Sequence, residues 1–299
     1  MNPPRSCGFV TLAVAFASIS ITVSIAAQQP GQIFRGAAYG VEVNVSVRSG
    51  RTPVTGLSTA DFELFDNGVR QEITAVSVEQ VPIDLTLLLD TSPSTADAIN
   101  KFKSGAMEIA TLLRQQDQVR LVTFATDVIE IFPFRRGGEP MPVDAVTQQG
   151  GTSLHDALIL SLARGSLQGR RHLVVAFTDG HDTTSVADGE TLAFVAGRAD
   201  SLLHLVLSGA YGTDYTQPPS VKSLRQAAEE SGGEMHAPGR FNNALGAFRQ
   251  VVEDFRQSYV LRYTLQGVKR DGLHTVTVKL KNHDKQNYTL RHRKGYFAG

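Results

Sequence analysis

Two nearly continuous apolar runs constrain the fold of this chain more than any other feature of its sequence. The first is Leu85-Thr-Leu-Leu-Leu89, and the second is His172-Leu-Val-Val-Ala-Phe177. Strands that are apolar at almost every position are typical of a parallel sheet with helices on both faces, because both sides of each strand are then buried. Parallel strands also need long crossover connections, which are usually helices.

Helical periodicity appears between and after these runs. Apolar residues spaced three and four positions apart predict a first helix, namely Ile99, Phe102, Ala106, Ile109 and Leu113. Other helices are predicted at 154–167, 190–198, 221–231 and 241–255, and other strands at 119–125, 128–132 and 202–207. The Pro-rich and Gly-rich stretch 133–142 is expected to be a surface loop. Together they predict a doubly wound, mostly parallel α/β domain over residues 81–255.

The two flanks of this region have the periodicity of strands. Residues 41–47 alternate valine with polar residues, and Asn67-Gly68 separates two strand-like runs in a hairpin pattern. Three more strands are predicted at 259–265, 274–280 and 288–293. Each flank is too short to form a stable core without a disulfide or a metal. We therefore predict that residues 33–80 and 256–299 pair into one small β-sandwich-like unit.

The N-terminal residues 1–27 have the features of a secretory signal peptide. Arg5 precedes a long uncharged segment, which ends in the small residues of Ser24–Ala27. We predict cleavage near Gln28 and an exported protein, either periplasmic or secreted. The alternative is that the segment stays as a membrane anchor. No other stretch approaches the ~18–20 apolar residues of a membrane span, so no stable span is expected after cleavage.

The charge balance and the cysteine content exclude some classes of partner and some kinds of chemistry. The chain has 29 Lys and Arg against 29 Asp and Glu, so it has no overall field to attract nucleic acid. Its one cysteine, Cys7, lies inside the predicted signal peptide. The mature protein is therefore expected to have no disulfide, no thiol nucleophile and no cysteine metal ligand.

Three loops that precede helices carry side-chain oxygen atoms. Asp90, Ser92 and Ser94 follow the first apolar run, Thr152 lies on a glycine-containing loop, and Asp179 follows the second run. Ligands of open parallel sheets bind beyond the carboxyl ends of the strands, where these residues are expected. Two carboxylates and several hydroxyls suit a hard divalent cation such as Mg²⁺. The alternative is that these residues only cap helices and form turns.

Four further polar residues follow the same loops. Asp156 and Asp182 are predicted to bind metal-bound water or to hold the loops, although simple surface acids are an equal alternative. His155 and His181 flank the same edge, and we expect both to be merely exposed.

These motifs resemble the metal-ion-dependent adhesion site of the von Willebrand factor type A family, which includes the inserted domains of integrins. The resemblance covers residues 81–255 and implies that Mg²⁺ or Mn²⁺ is bound by Asp90, Ser92, Ser94, Thr152 and Asp179. It also implies a protein partner that presents an Asp or Glu carboxylate to the ion. Pro93, where many members have glycine, stiffens the loop without removing a ligand.

The flanks resemble a bacterial von Willebrand A-related subgroup found largely in acidobacteria. This second resemblance lies in the hairpin pattern Gly56-Leu57, Asp61-Phe62 and Asn67-Gly68, and in the closing strands that contain Tyr259 and Gly295-Tyr296.

No sequence pattern of catalysis accompanies the predicted site. The chain has no Gly-x-Ser-x-Gly, no His-Glu-x-x-His and no phosphate-binding loop. The second carboxylate of an aspartyl phosphotransferase is replaced by Ser92. We therefore predict a metal-dependent interaction module and not an enzyme. The alternatives are a metal-dependent hydrolase and a structural subunit of an envelope assembly in which the metal only stabilises the fold.

Overall fold

A computed structural model describes residues 40–50, 52–78, 81–164, 169–207, 219–236, 244–281 and 288–298. The predicted signal peptide, residues 1–27, lies outside these ranges. Within the ranges, no helix combines the length and the apolar character that crossing a membrane requires.

The described chain alternates strands with helices in its middle and has strands alone on both sides. The strands are β1 (Gly40–Ser49), β2 (Thr52–Pro53), β3 (Phe62–Asp66), β4 (Val69–Gln71), β5 (Ile73–Ser77), β6 (Ile83–Asp90), β7 (Gln118–Phe124), β8 (Val128–Arg136), β9 (Arg171–Thr178), β10 (Leu202–Leu207), β11 (Glu234–His236), β12 (Tyr259–Thr264), β13 (Gly272–Leu280), β14 (Tyr288–His292) and β15 (Gly295–Ala298). The helices are α1 (Ala96–Leu112), α2 (Leu154–Leu162), α3 (Gly189–Ala196), α4 (Pro219–Ser231) and α5 (Ala244–Gln257).

The central sheet has six strands in the order β11, β10, β9, β6, β7 and β8. Neighbouring strands are parallel except for β8, which runs antiparallel to β7 at one edge. Every residue of β6 and of β9 is buried. This burial is what covering a parallel sheet on both faces produces, and the predicted α/β fold is confirmed.

Helices pack against both faces of the central sheet. Leu85, Leu87 and Leu89 of β6 share a core with apolar side chains of α1 and α5. Leu88 points to the opposite face and shares a second core with α2, α3 and α4. Because side chains alternate between the two faces of a strand, one strand contributes to both cores.

Strands from the two flanks form two further sheets that share a third core. The first sheet has the order β14, β1, β12, β5, with β2 beside β1, and the second has the order β15, β13, β3, β4. In β1, Val45 lies opposite Tyr259 of β12 on one side and His292 of β14 on the other. Apolar side chains of both sheets pack together, so the predicted β-sandwich-like unit is confirmed.

Three elements differ most clearly from the sequence prediction. Strand β8 continues through Pro133 to Arg136, where we expected a loop, because it is an edge strand whose pairing with β7 shifts register there, and an edge position tolerates a missing amide donor. Helix α2 ends at Leu162 rather than near Leu167, and two turn residues follow it. Strand β11 was not predicted, because three residues are too few to show a period.

Candidate functional site

The candidate site lies at the carboxyl ends of β6 and β9, which are neighbours in the central sheet. Leu89 pairs with Phe177, so Asp90 and Thr178 stand side by side at the last position of each strand. The Thr178 hydroxyl donates a hydrogen bond to Oδ2 of Asp90 at 2.7 Å. Asp179 follows directly, so both predicted carboxylates come from adjacent strand ends.

Asp90 is a fully buried carboxylate in a polar setting. Its Oδ1 accepts a hydrogen bond from the backbone N–H of Ser92 at 2.9 Å. Burial raises the pKa of Asp90, with a smaller contribution from the charge of Asp179, while the hydrogen bonds from Ser92 and Thr178 act in the opposite direction. Among the described residues, no basic side chain forms an ion pair with Asp90. A cation at this position would offset an otherwise unfavourable negative charge.

The two serines lie on a short 3₁₀ turn between β6 and α1. Their hydroxyl oxygens are 3.2 Å apart. Neither Ser92, which precedes this turn, nor Thr95, which precedes α1, makes a capping hydrogen bond through its side chain. Instead, the Thr95 hydroxyl lies 2.9 Å from the carbonyl oxygen of Asp90 and 2.8 Å from that of Ser92, and so holds the turn closed. Pro93 stands at the start of the turn, where its missing N–H costs nothing.

The glycine-containing loop before α2 is held against the end of β7. The Ser153 hydroxyl lies 2.6 Å from the carbonyl oxygen of Ala125 and 2.7 Å from that of Thr126, and it does not cap α2. Gly151 has a φ of +74°, and a Cβ there would lie 2.5 Å from Oγ1 of Thr126. Only glycine fits this combination of backbone angle and close approach. The N–H of Gln149 donates to the carbonyl of Thr91 at 2.9 Å, which links this loop to the Asp90 loop.

Thr152 links the same loop to the one that follows Asp179. Its N–H donates to the Thr183 hydroxyl at 2.9 Å, and its carbonyl accepts the N–H groups of Thr183 and Thr184 at 2.8 and 3.1 Å. Thr152 is 5% exposed, and the hydrogen bonds that join it to Thr183 and Thr184 use its backbone atoms and not its hydroxyl. All three predicted loops are therefore joined by hydrogen bonds.

Asp179 is held in a tight turn by its neighbours. Its Oδ1 accepts the N–H of His181 at 3.1 Å and lies 3.2 Å from Nδ1 of the same histidine. Gly180 has a φ of +84°, which favours glycine after the aspartate. The side chain of His181 is 59% exposed, as expected.

The carboxylates of Asp156 and Asp182 accept hydrogen bonds that hold loops together. Oδ2 of Asp182 accepts the N–H of His155 in the first turn of α2 at 2.9 Å. The two carboxylate oxygens of Asp156 accept the N–H groups of Val186 and Ala187, each at 2.9 Å. Both aspartates therefore attach residues 182–187 to the start of α2.

His155 differs from the prediction. We expected an exposed side chain, but His155 lies in the first turn of α2 and is 8% exposed. Its Nδ1 lies 3.2 Å from the carbonyl of Ala187, and its Nε2 is buried with no hydrogen-bond partner in the part of the chain that the structure describes. The position is buried because residues 182–187 cover the start of α2, which no local sequence pattern indicates.

The donor set fits a hard divalent cation. Asp90 and Asp179 supply carboxylates, and Ser92, Ser94 and Thr152 supply hydroxyls. No group of three or more His, Cys, Asp or Glu side chains in the described ranges could hold a metal, so a site here depends on the hydroxyls as well as the carboxylates. Oxygen ligands of this kind suit Mg²⁺ and Mn²⁺.

Sequence reasoning missed the residues that hold these loops. Thr178, Thr183, Gln149 and Ser153 contribute the connecting hydrogen bonds. Only Thr178 had a detectable signal, because it directly precedes Asp179 at the strand end. The others act between segments that are distant in sequence.

Part of this chain is similar to a known protein family. The family model of the von Willebrand factor type A domain matches residues 84–201. No curated protein matches the chain. Three similar solved structures are an aerotolerance-related membrane protein from Bacteroides fragilis (17% identity, 57% of this chain and 98% of that chain, TM-score 0.45), a von Willebrand factor type A protein from Catenulispora acidiphila (11%, 89% and 74%, 0.49), and proximal thread matrix protein 1 from the mussel byssus with a zinc-occupied MIDAS motif (16%, 64% and 49%, 0.49).

The sequence identities and TM-scores of these three structures are too low to support any statement about function. The family match coincides with the segment that forms most of the central sheet, from β6 to the start of β10. The α/β part of this chain therefore has the von Willebrand factor type A fold.

Proposed function

We propose that this chain is an exported protein-interaction module whose α/β domain binds its partner through a divalent cation. The ion, Mg²⁺ or Mn²⁺, is held by Asp90, Ser92, Ser94, Thr152 and Asp179. The partner supplies an Asp or Glu carboxylate to the open coordination position. The same proposal includes the domain boundaries at 33–80, 81–255 and 256–299. It also includes the likeness of the flanks to a bacterial subgroup.

The observation that carries this proposal is that hydrogen bonds join the three loops around the buried carboxylate of Asp90. Asp90 has no basic partner among the described residues, while Asp179 lies near enough to raise its pKa further. Structural aspartates at this depth normally have a basic partner, as Asp84 has in Arg170. A buried carboxylate with a second aspartate nearby and no basic partner among the described residues supports a cation-binding role.

The same charges support an acidic partner. Two aspartates neutralise a divalent ion, and the remaining protein ligands are uncharged. A third carboxylate is therefore held by direct coordination at the open position of the bound ion, and it is repelled by Asp90 and Asp179 when the ion is absent. This chain's part is to hold the five oxygen atoms in place and to leave one position open. Domains of this family are mostly adhesion or interaction modules, which also supports the proposal.

The proposal is tested by calorimetry with Mg²⁺ and Mn²⁺. Asp179→Asn retains an oxygen that can accept the N–H of His181, so the turn should persist while the charge is lost. We expect no measurable binding to this variant. Asp97→Asn, which changes an exposed acid in the first turn of α1, is the control and should bind as the unaltered chain does. Equal affinity of Asp179→Asn and the unaltered chain would contradict the proposal.

Partner binding needs a separate measurement. Capture of a protein from an envelope extract should be lost in EDTA and in Asp179→Asn, and retained in Asp97→Asn. Equal capture with and without EDTA would instead favour a structural subunit in which the metal only stabilises the fold.

A metal-dependent hydrolase is the second candidate, and one observation favours it. The exposed His181 has its Nδ1 3.2 Å from Asp179, so an imidazole lies beside the proposed ion. A general base beside a metal is what hydrolysis needs. Turnover of p-nitrophenyl phosphate that requires Mg²⁺ and is lost in His181→Gln would establish this activity; we expect none.

A further inference from the structure

Val186 is the most exposed large apolar side chain in the described part of the protein. It is 96% exposed, whereas the other exposed large apolar side chains range from 38% to 67%. It lies between Asp182 and Asp188 in the segment that connects the candidate site to α3. Single exposed apolar residues are common, so exposure alone indicates nothing. What distinguishes Val186 is how its backbone is held and what it is attached to.

The backbone at Val186 is fixed by the side chain of Asp156 in α2. Both carboxylate oxygens of Asp156 are used, one for the N–H of Val186 and one for that of Ala187. The Ser185 hydroxyl accepts the N–H of Asp156 at 3.2 Å and donates to Asp182. A side chain presented on such a support loses little conformational entropy when a partner covers it.

The same segment is attached to the candidate metal site. Thr183 and Thr184 donate hydrogen bonds to the carbonyl of Thr152, one of the proposed ligands. Val186 is therefore only two residues away from Thr184, whose backbone is hydrogen-bonded to the site. The segment that presents Val186 is therefore anchored at a proposed ligand, and it is the candidate surface for a partner that reaches the ion with a carboxylate.

Negative charges that follow Val186 in the sequence restrict the charge that a partner can carry there. Asp188 and Glu190 are exposed at the start of α3, just after Val186. The hydrogen bonds from Thr191 lower the pKa of Asp188, so it is negative at neutral pH. A second acidic residue beside the one that binds the ion would meet these negative charges.

We propose that Val186 is a partner-contact residue and that the partner is an extended protein segment with one acidic residue and an apolar neighbour. The inference rests on the proposed function, since it names the chemistry of the partner at the same site. The acidic residue binds the ion, the apolar side chain covers Val186, and Asp188 and Glu190 disfavour a second acid.

The experiment measures Mg²⁺-dependent binding of three labelled peptides to the full chain by fluorescence anisotropy. The peptides share one central Glu and differ only in the two residues that flank it, which are Leu, Ser or Glu. We expect the Leu peptide to bind about tenfold more tightly than the Ser peptide, which is the effect of burying one aliphatic side chain. The Glu peptide should bind most weakly.

Variants at Val186 test the residue itself. Val186→Ser should remove the preference for Leu over Ser while the Ser peptide binds within about twofold of its original affinity. Val186→Ile should keep the preference. Val78→Ser, at a valine that is 41% exposed in the β unit, is the matched control and should keep it as well. Asp156→Asn should reduce the preference, because it releases the backbone that positions Val186.

The outcomes separate this inference from the proposed function. If all three peptides bind equally and only with Mg²⁺, the inference is overturned and the metal-dependent interaction stands. A preference for Leu that persists in Val186→Ser also overturns it. If no peptide shows binding that depends on Mg²⁺, both the proposed function and the inference fail.

Discussion

Strand β6 carries a buried aspartate at each end, and the two should respond in opposite ways to conversion into asparagine. Asp84 accepts a hydrogen bond from Nε of Arg170 at 2.6 Å, and this pair is largely buried. Asp90 has no such partner in the described part of the chain, and its burial and Asp179 both raise its pKa. Asp84→Asn therefore leaves Arg170 without its counter-charge, whereas Asp90→Asn removes a charge that its surroundings disfavour.

The hydrogen bonds at Asp90 survive the substitution. An asparagine oxygen can accept the N–H of Ser92, as Oδ1 of Asp90 does. Its amide can donate to the Thr178 hydroxyl, which has a second lone pair beside the one used by Gly180. The variant should therefore fold, and its loss of metal binding would not be a consequence of unfolding.

The expected changes in stability are large enough to measure. In EDTA, Asp84→Asn should lower the free energy of unfolding by about 3 kcal/mol. That loss corresponds to about 5 °C in melting temperature for a chain of this size. Asp90→Asn should be at least as stable as the unaltered chain. At about 100 times its dissociation constant, Mg²⁺ should add about 2.7 kcal/mol to the unaltered chain and to Asp84→Asn, and nothing to Asp90→Asn.

Thermal unfolding followed by circular dichroism, in EDTA and across a Mg²⁺ titration at neutral pH, measures all of these values. Two results would refute the reasoning. One is an Asp90→Asn variant that melts in EDTA as low as Asp84→Asn, which would make Asp90 an ordinary structural aspartate. The other is an equal Mg²⁺-dependent rise in Asp90→Asn and the unaltered chain, which would place the metal elsewhere.

Three further predictions concern acid stability, switching and the flanks. Burial lowers the pKa of His172 to about 3 and of His292 to about 4, so below about pH 6.5 the unfolded chain binds protons that the folded chain does not. The free energy of unfolding should therefore fall from about pH 7.5 to 5.5, by about 1.4 kcal/mol for each of these two histidines. Burial also lowers the pKa of His204 and of His236, which act in the same direction, and it raises the pKa of Asp254 to about 6, which is a partial offset. Urea titrations that show no fall would contradict this. Thr152→Ala should weaken partner binding more than Mg²⁺ binding, because a neutral hydroxyl contributes less to the ion than a carboxylate, and calorimetry showing equal losses would make Thr152 an ordinary ligand. Deleting residues 256–299 removes the strands that pair with β1 and β3, so the exposed edges should make the chain insoluble, and a soluble monomer with unchanged melting would show that the flanks are independent.

The central sheet could be predicted because its physical cause is local. The apolar runs that form β6 and β9 are buried on both faces, and a nearly continuous run of apolar residues is what such burial predicts. The positions of Asp90 and Asp179 at adjacent strand ends followed from the same rule, since parallel strands end at the same edge. Their role as metal ligands remains a prediction.

The pairing of the two flanks was also predictable, although less directly. Alternating valines in β1 show one buried face, and neither flank has enough apolar surface to bury that face alone. The sequence therefore required a partner for each flank, and the other flank was the available one. Which strand pairs with which, such as Val45 with both Tyr259 and His292, was decided by packing in the shared core.

The sequence by itself determined most of the elements, their order and the strand ends at which the polar loops meet. Only the tertiary structure decided how those loops are held. Asp182, and not the adjacent Ser153, caps the start of α2, and Thr183 rather than a neighbouring residue holds Thr152. A serine before a helix has the same local pattern whether it caps that helix or bonds elsewhere. The choice depends on which segments the sheet brings within hydrogen-bond distance, and that distance is set by contacts between residues far apart in sequence.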